Sequence, residues 1–222
     1  MNEVTANQIN TDTPKSISTI LKEVWAFLKS LVWILFLAYC IRETVIQPYK
    51  IPTGSMIPTL LISDHLLVSK LSYGLRLPYI PYFKFFEKIQ YQWAMPKRGE
   101  VVVFTRPDDP ASPEDDSDIN LIKRVIGLPG EVVEVKGTQV YINGKALNEP
   151  YTRYSEGGLW EGNFGPATVP AGRIFLMGDN RDNSKDSRFW TDHFLEADRL
   201  IGRALFIHWS WDSLSRIGTI IR

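Results

Sequence analysis

Residues 24–41 read VWAFLKSLVWILFLAYCI, an apolar run in which Lys29 is the only charge. Such a segment must either be covered by a protein core or leave water for lipid, so it restricts the fold more than any other stretch. Its uninterrupted part, 31–41, is too short alone to cross a hydrocarbon layer of ~30 Å. A helix starting near Ile20 is long enough, with Lys29 snorkelling toward the interface from the early turns. A buried soluble helix and a cleaved signal peptide share part of this pattern. Arg42, Glu43 and Gln47 follow the run, not the small residues of a cleavage site, so 20–41 is read as a retained transmembrane helix. Lys15, Lys22 and Lys29 precede the core of the run, and only Arg42 and Lys50 follow closely. The positive-inside tendency then puts residues 1–19, a polar tail, in the cytoplasm and residues 42–222 outside it.

The outer part is long enough for one domain with a sizeable core. Lys plus Arg and Asp plus Glu both number 25, so there is no basic excess to draw nucleic acid. A single cysteine, Cys40, excludes an internal disulfide and a cysteine zinc site. His65, His193 and His208 lack metal-ligand spacing. No metal, cofactor or nucleotide site is read from the chain.

After Glu43 the apolar residues fall into short β-branched runs. EVVVF at 100–104, LIKRVI at 121–126, EVVEV at 131–135, 140–142, 145–147, RIFLM at 173–177 and LIGRALFIHW at 200–209 predict strands. Asn143-Gly144 between two of them is a hairpin signal. The predicted fold is mostly β, a set of antiparallel sheets behind an N-terminal transmembrane helix. Residues 107–118, PDDPASPEDDSD, hold six acids and no base and predict a solvated loop. Residues 73–93 concentrate aromatic rings that suit either the core or a bilayer surface.

Three segments carry chemistry-bearing side chains. IPTGSMIPTL at 51–60 sets Ser55 after a glycine and between two prolines. Proline excludes an interior strand, so this segment predicts an edge ending in a rigid turn that holds one hydroxyl outward. Alternation in LIKRVI points Lys123 to one face and Ile122 and Arg124 to the other. In apolar surroundings a lysine pKa falls from ~10.4, and values near 7–8 suit a base at neutral pH. GDNRDNSKDSR at 178–188 packs three Asp, two Arg, one Lys, two Ser and two Asn directly behind an apolar strand. Burying such a loop requires that its groups pair with one another.

In this order, the anchor, IPTGSMIPTL, IKRVIGLPG and GDNRDNSKDSR closely resemble the bacterial type I signal peptidases, serine–lysine peptidases that remove signal peptides from exported preproteins. The resemblance runs through nearly all of the chain after residue 20. It implies that Ser55 is the nucleophile and Lys123 the general base, a pair that needs no histidine. It implies that Ser184 orients the lysine amine and that the Thr53 hydroxyl and the Ser55 backbone N–H form the oxyanion hole. Asp186 and Arg188 match a supporting ion pair, Asp179 and Arg181 brace the same loop, and Arg124 is structural. Ile51, Met56, Leu60 and Ile122 match positions lining two shallow pockets for small residues, usually Ala, at the first and third places before the cut. Met56, Leu60 and their companions also fit an ordinary core. The implied partners are preprotein signal peptides and the lipid bilayer of the bacterial cytoplasmic membrane. Many relatives have two spans where this chain shows one, and 107–118 is a local insertion.

Three other readings compete, one of them the related Ser–Lys fold of self-cleaving repressors, which the membrane anchor and the lack of a DNA-binding module disfavour. A histidine-based hydrolase would use His65, His193 or His208. A membrane-tethered β-domain without catalysis would have no need of both Ser55 and Lys123.

Overall fold

The structure, a computed structural model, describes residues 16–76, 90–107, 119–154 and 162–222. The tail 1–15, nearly all of the acidic stretch and the middle of the aromatic stretch lie outside these residues. The chain divides into two compact units, residues 1–40 and 41–222.

Helix α1 spans Ile17–Thr44, 28 residues without glycine or proline, or about 42 Å at 1.5 Å per residue. None of its residues is buried within the chain, so its apolar side chains face outward all round. Ser30 turns its hydroxyl back to the carbonyls of Phe27 and Ala26, at 2.8 and 3.2 Å. That internal bond satisfies the hydroxyl within the helix itself.

The second unit is built from strands. In chain order they are β1 (Ile46–Lys50), β2 (Asp64–Ser69), β3 (Gly74–Arg76), β4 (Gln90–Gln92), β5 (Val101–Thr105), β6 (Asn120–Gly127), β7 (Val132–Lys136), β8 (Gln139–Ile142), β9 (Lys145–Ala146), β10 (Asn163–Thr168), β11 (Arg173–Met177), β12 (Leu195–Glu196) and β13 (Leu200–Ser210). Seven form one sheet in the order β1-β2-β13-β5-β6-β11-β12, and four form a second in the order β10-β7-β8-β9. The pairings within both sheets are antiparallel. The fold is therefore mostly antiparallel β with one apolar N-terminal helix.

The strands predicted from β-branched runs are present within a residue or two of their predicted ends. β1 and β10 carry weaker signals. Pro48 interrupts β1, which the sheet accommodates because β1 is its edge. β10 contains Gly165-Pro166, and its register against β7 shifts between Phe164 and Ala167.

Around the large sheet, alternation sorts the core. Ile122, Val101 and Val103 join Ile51, Met56, Leu60 and Leu66 in one apolar cluster. Val102, directly opposite Lys123, joins Val125 and Leu176 in another. Lys123 thus departs from the face of Ile122, as alternation predicts. Unlike a strand with one wet face, β6 is buried on both sides from Ile122 to Gly127.

Candidate active site

Between β1 and β2 the chain makes a loop over residues 51–63 whose base and flank are tied down. The Ile51 N–H donates to the Asp64 carbonyl and the Ser63 N–H to the Ile51 carbonyl, both at 2.8 Å. Inside the loop, the Leu60 N–H donates to the Met56 carbonyl at 2.9 Å, and both side chains are sunk in the core. The Asp64 carboxylate accepts from the Leu61 N–H at 2.8 Å and from Arg216 at 2.7 Å. Arg216 also reaches the Thr59 carbonyl at 3.0 Å. Buried apolar residues on the near side of the loop and charge-assisted bonds on the far side leave it little freedom.

Ser55 lies at the top of this loop. An outward hydroxyl was the expectation, but Ser55 is only 7% exposed, because the loop folds back over the sheet and turns Oγ toward β6. Lys123 Nζ lies 2.7 Å from it, and Lys123 is 4% exposed. Burial is the largest influence on the amine and holds its pKa down to about 8. The carboxylates of Asp186 and Asp179 pull it upward, and the Arg188 guanidinium pushes it down. Near neutrality such an amine exists in both protonation states, which is what a proton shuttle requires.

The loop 178–188 returns onto the end of β11. The Leu176 N–H donates to Ser187 Oγ at 2.9 Å, and the Ser187 N–H donates back to the Leu176 carbonyl at 3.2 Å. Asp186 accepts from Arg188 Nε and Nη2 at 2.8 and 2.9 Å, and from the Gly178 N–H at 2.9 Å. Arg188 also donates to the Arg181 carbonyl at 2.7 Å. Buried charges in this loop thus meet their partners, as its composition demanded.

Asp179 and Arg181 do not pair with each other. Asp179 receives Arg124 from β6, Nε to Oδ1 at 2.7 Å and Nη2 to Oδ2 at 2.6 Å, and the Thr59 hydroxyl at 2.5 Å. Arg124 further donates to the carbonyls of Gly99 and Arg222, both at 2.7 Å, and stacks on the Tyr151 ring at 3.9 Å. Arg181 instead takes Glu149 through both terminal nitrogens, at 2.9 and 2.5 Å. No sequence motif marks Thr59 or Glu149 as a partner of this loop. A polar loop that must be buried calls for outside partners, but nothing in its own residues says where along the chain they lie.

Gly178 sits between Ser55 and Ser184. A Cβ there would overlap Ser184 Oγ, Ser184 Cβ and the Ser55 carbonyl oxygen, so only glycine lets the two serines approach. Ser184 is fully buried, and its Oγ has no hydrogen-bond partner among the described residues. Asn180, also unassigned from sequence, donates its backbone N–H to the Ser55 carbonyl at 3.1 Å and its side-chain Nδ2 to the Gly54 carbonyl at 3.0 Å. Thr53 is exposed, two residues before Ser55.

Ile51, Met56, Leu60 and Ile122 are all buried in one cluster. Ile51 and Ile122 also line a small cleft with Tyr49, Pro52, Val103 and Leu121; Met56 and Leu60 do not. Among the described residues no histidine bonds Ser55. His65 stands edge-on to His208 at 6.0 Å, and His193 Nδ1 lies 2.8 Å from the Ser187 carbonyl.

The chain is similar to known proteins over most of its length. The family model for signal peptidase, peptidase S26, matches residues 24–209. Signal peptidase I of Pseudomonas aeruginosa is 33% identical over 96% of this chain and 86% of its own length. Signal peptidase I T of Bacillus subtilis is 33% identical over 92% of this chain and 95% of its own. A solved signal peptidase I structure from Enterococcus faecalis is 31% identical and aligns with a TM-score of 0.39 over 50% of this chain and 97% of that one. The class defined is a peptidase, a hydrolase. The chain belongs to the signal peptidase family S26.

Proposed function

We propose that this peptidase cuts preproteins after small residues in an Ala-x-Ala pattern, with Ser55 as nucleophile and Lys123 as general base. The observation that carries the reading is the 2.7 Å approach of Lys123 Nζ to Ser55 Oγ, made by two buried groups with the amine pKa held near 8.

A serine hydroxyl is a weak nucleophile until its proton has somewhere to go. The neutral Lys123 amine takes that proton as Oγ attacks the scissile carbonyl carbon. The new oxyanion accepts hydrogen bonds from the Ser55 backbone N–H and the Thr53 hydroxyl. The Lys123 ammonium then protonates the departing amine, leaving an acyl-enzyme on Ser55. A water gives its proton to the neutral lysine and attacks the acyl carbon, and the ammonium returns the proton to Ser55 Oγ. Ser184, buried beside Gly178 with an uncommitted hydroxyl, orients the amine between these transfers. Asp186 with Arg188 holds the loop that carries Ser184.

The substrate lies extended along the cleft beside 49–52 and 121–122, with main-chain bonds for grip and shallow pockets reading alternate side chains. Ile51 and Ile122 set the depth of those pockets. α1 anchors the chain in the bacterial cytoplasmic membrane with residues 1–19 inside and the catalytic unit outside, as the lysines before the span favour.

The test is cleavage of a preprotein with an Ala-x-Ala site by the full chain in detergent, with Ser55→Ala and Lys123→Met alongside and the cut mapped by mass spectrometry. Cleavage after the final Ala by the wild type alone is expected. Cleavage that survives Lys123→Met would move the base elsewhere. A folded wild type inert toward several preproteins would leave a membrane-tethered domain without this activity.

A further inference from the structure

The grip of Asn180 on the nucleophile loop bears on more than loop shape. Its Nδ2 donates to the Gly54 carbonyl oxygen at 3.0 Å. That carbonyl belongs to the same peptide group as the Ser55 N–H. Its backbone N–H donates to the Ser55 carbonyl at 3.1 Å, which belongs to the next peptide group. One residue therefore holds both peptide planes that flank the nucleophile.

Two consequences follow from elementary chemistry. A peptide is planar, so fixing its C=O direction fixes its N–H direction. A donor on the carbonyl oxygen also draws electron density from the nitrogen, which makes the opposite N–H a stronger donor. Both effects act on the Ser55 N–H. The side chain is also held in an unfavourable setting. Asn180 is only 5% exposed, and its Oδ1 is buried with no partner among the described residues. Rotating the amide to give Oδ1 the Gly54 contact would set two oxygens against each other, so the donor must face Gly54. A buried amide with one end unsatisfied is a poor choice for stability alone.

We infer that Asn180 is a positioning residue for the oxyanion hole, acting through the Gly54–Ser55 peptide on the Ser55 N–H. This rests on the assignment of Ser55 as nucleophile. Asn180 need not touch the substrate, and its contribution is felt when negative charge develops on the carbonyl oxygen.

The test compares the full-length wild type with Asn180→Asp and Asn180→Ala, each first shown by thermal melting to be folded. The first turns the donor into an acceptor facing Gly54, and the second deletes it without adding charge. Both leave the backbone bond to Ser55 in place. Three quantities are read: kcat and KM on the preprotein, the pH profile, and the affinity for a peptide aldehyde against the matching unreactive peptide amide. The aldehyde adds to Ser55 and places an oxyanion in the hole. We expect kcat to fall about tenfold in Asn180→Ala and further in Asn180→Asp, short of the ~10²–10³ lost with a direct oxyanion donor. KM should stay within about twofold, aldehyde affinity should fall in step with kcat while amide affinity does not, and in Asn180→Ala the acid limb should not move, whereas the added carboxylate of Asn180→Asp should move it to higher pH. An unchanged kcat in a folded Asn180→Asp overturns the inference, as does equal weakening of aldehyde and amide, which would mark a general loosening of the loop. Ser55→Ala, run in parallel, separates the two levels. Cleavage surviving in that variant removes the nucleophile assignment and this inference together, whereas the outcomes above remove this inference alone.

Discussion

Arg124 and Asp179 meet through two parallel bonds, of 2.7 and 2.6 Å, one residue past Lys123 on one side and one past Gly178 on the other. Both side chains are almost wholly buried, so the strand of the lysine and the loop of Ser184 are joined by a desolvated ion pair. Removing one partner of such a pair leaves a charge without water or counter-charge and costs about 3–5 kcal/mol. Asp179→Ala is therefore expected to lower the stability of the folded chain by about 3 kcal/mol, since Arg124 retains carbonyl partners at Gly99 and Arg222. The double change Arg124→Met with Asp179→Leu should cost less than the single one. Denaturant unfolding of the three proteins decides this, and a double variant weaker than Asp179→Ala would contradict it.

The lysine's electrostatic surroundings set a pH dependence. Its protonated form cannot accept the Ser55 proton, so kcat/KM should rise with pH through a midpoint near 8 and then level off. Asp186 is the strongest of the groups pulling that pKa upward. In Asp186→Asn the pull is gone and Arg188 is left without its counter-charge, and both changes favour the neutral amine. The acid limb should move to lower pH even if the plateau falls. A limb that stays in place, or shifts to higher pH, would mean that another group titrates there.

Much of this site can be found in the sequence, for identifiable reasons. Ser55 between two prolines, Lys123 among β-branched residues and a charged loop behind an apolar strand are local patterns, and the structure brings all three together. The strands with β-branched runs are legible for the same reason. What escapes is long-range pairing. Nothing local says that Arg181 reaches Glu149, 32 positions earlier in the chain, or that Arg124 reaches Asp179, 55 positions later. Asp179 and Arg181 both hold their own loop, but through Arg124 on β6 and Glu149, partners far away in the sequence. β10 is hidden by Gly165-Pro166, whose residues argue against a strand until an irregular edge is available to hold them. The inward turn of Ser55 depends on how the whole loop folds over β6, which proline positions alone do not specify.

Gly178 offers a steric test. Its missing side chain is the space in which Ser184 Oγ and the Ser55 carbonyl lie side by side. Gly178→Ala puts a methyl group against Ser184 and against the Ser55 carbonyl oxygen that Asn180 also holds, and the second of these cannot yield without moving the nucleophile. Loss of at least about a hundredfold in kcat/KM is expected, comparable to losing an oxyanion donor. The glycine's φ is not in the left-handed region, so the effect is one of space and not of backbone conformation. Near wild-type cleavage by a folded Gly178→Ala would show that the two serines need not be this close.

Lys123 should be a burden on stability. Its pKa is about 8 in the folded chain against an ordinary 10.5. Between those values the unfolded chain binds a proton that the folded chain has released, so the stability of the fold rises with pH across that window. Below about pH 8 both states hold the proton, and the full cost of burying the charge is present. The difference between the two values corresponds to about 3 kcal/mol. Replacing the lysine by methionine, of similar length and apolar, removes that cost. It also forfeits the bond to Ser55, which contributes about 1 kcal/mol. Lys123→Met is therefore expected to abolish cleavage and yet to stabilise the chain by about 2 kcal/mol at pH 7, a trade of stability for activity. The gain should shrink as pH rises from 8 and turn into a small loss above about 10.5, where the wild-type lysine is neutral in both states. Thermal melts of the two proteins at pH 7 and at pH 10.5 measure it. A variant less stable than wild type at pH 7 would mean that the amine is not held against its charge.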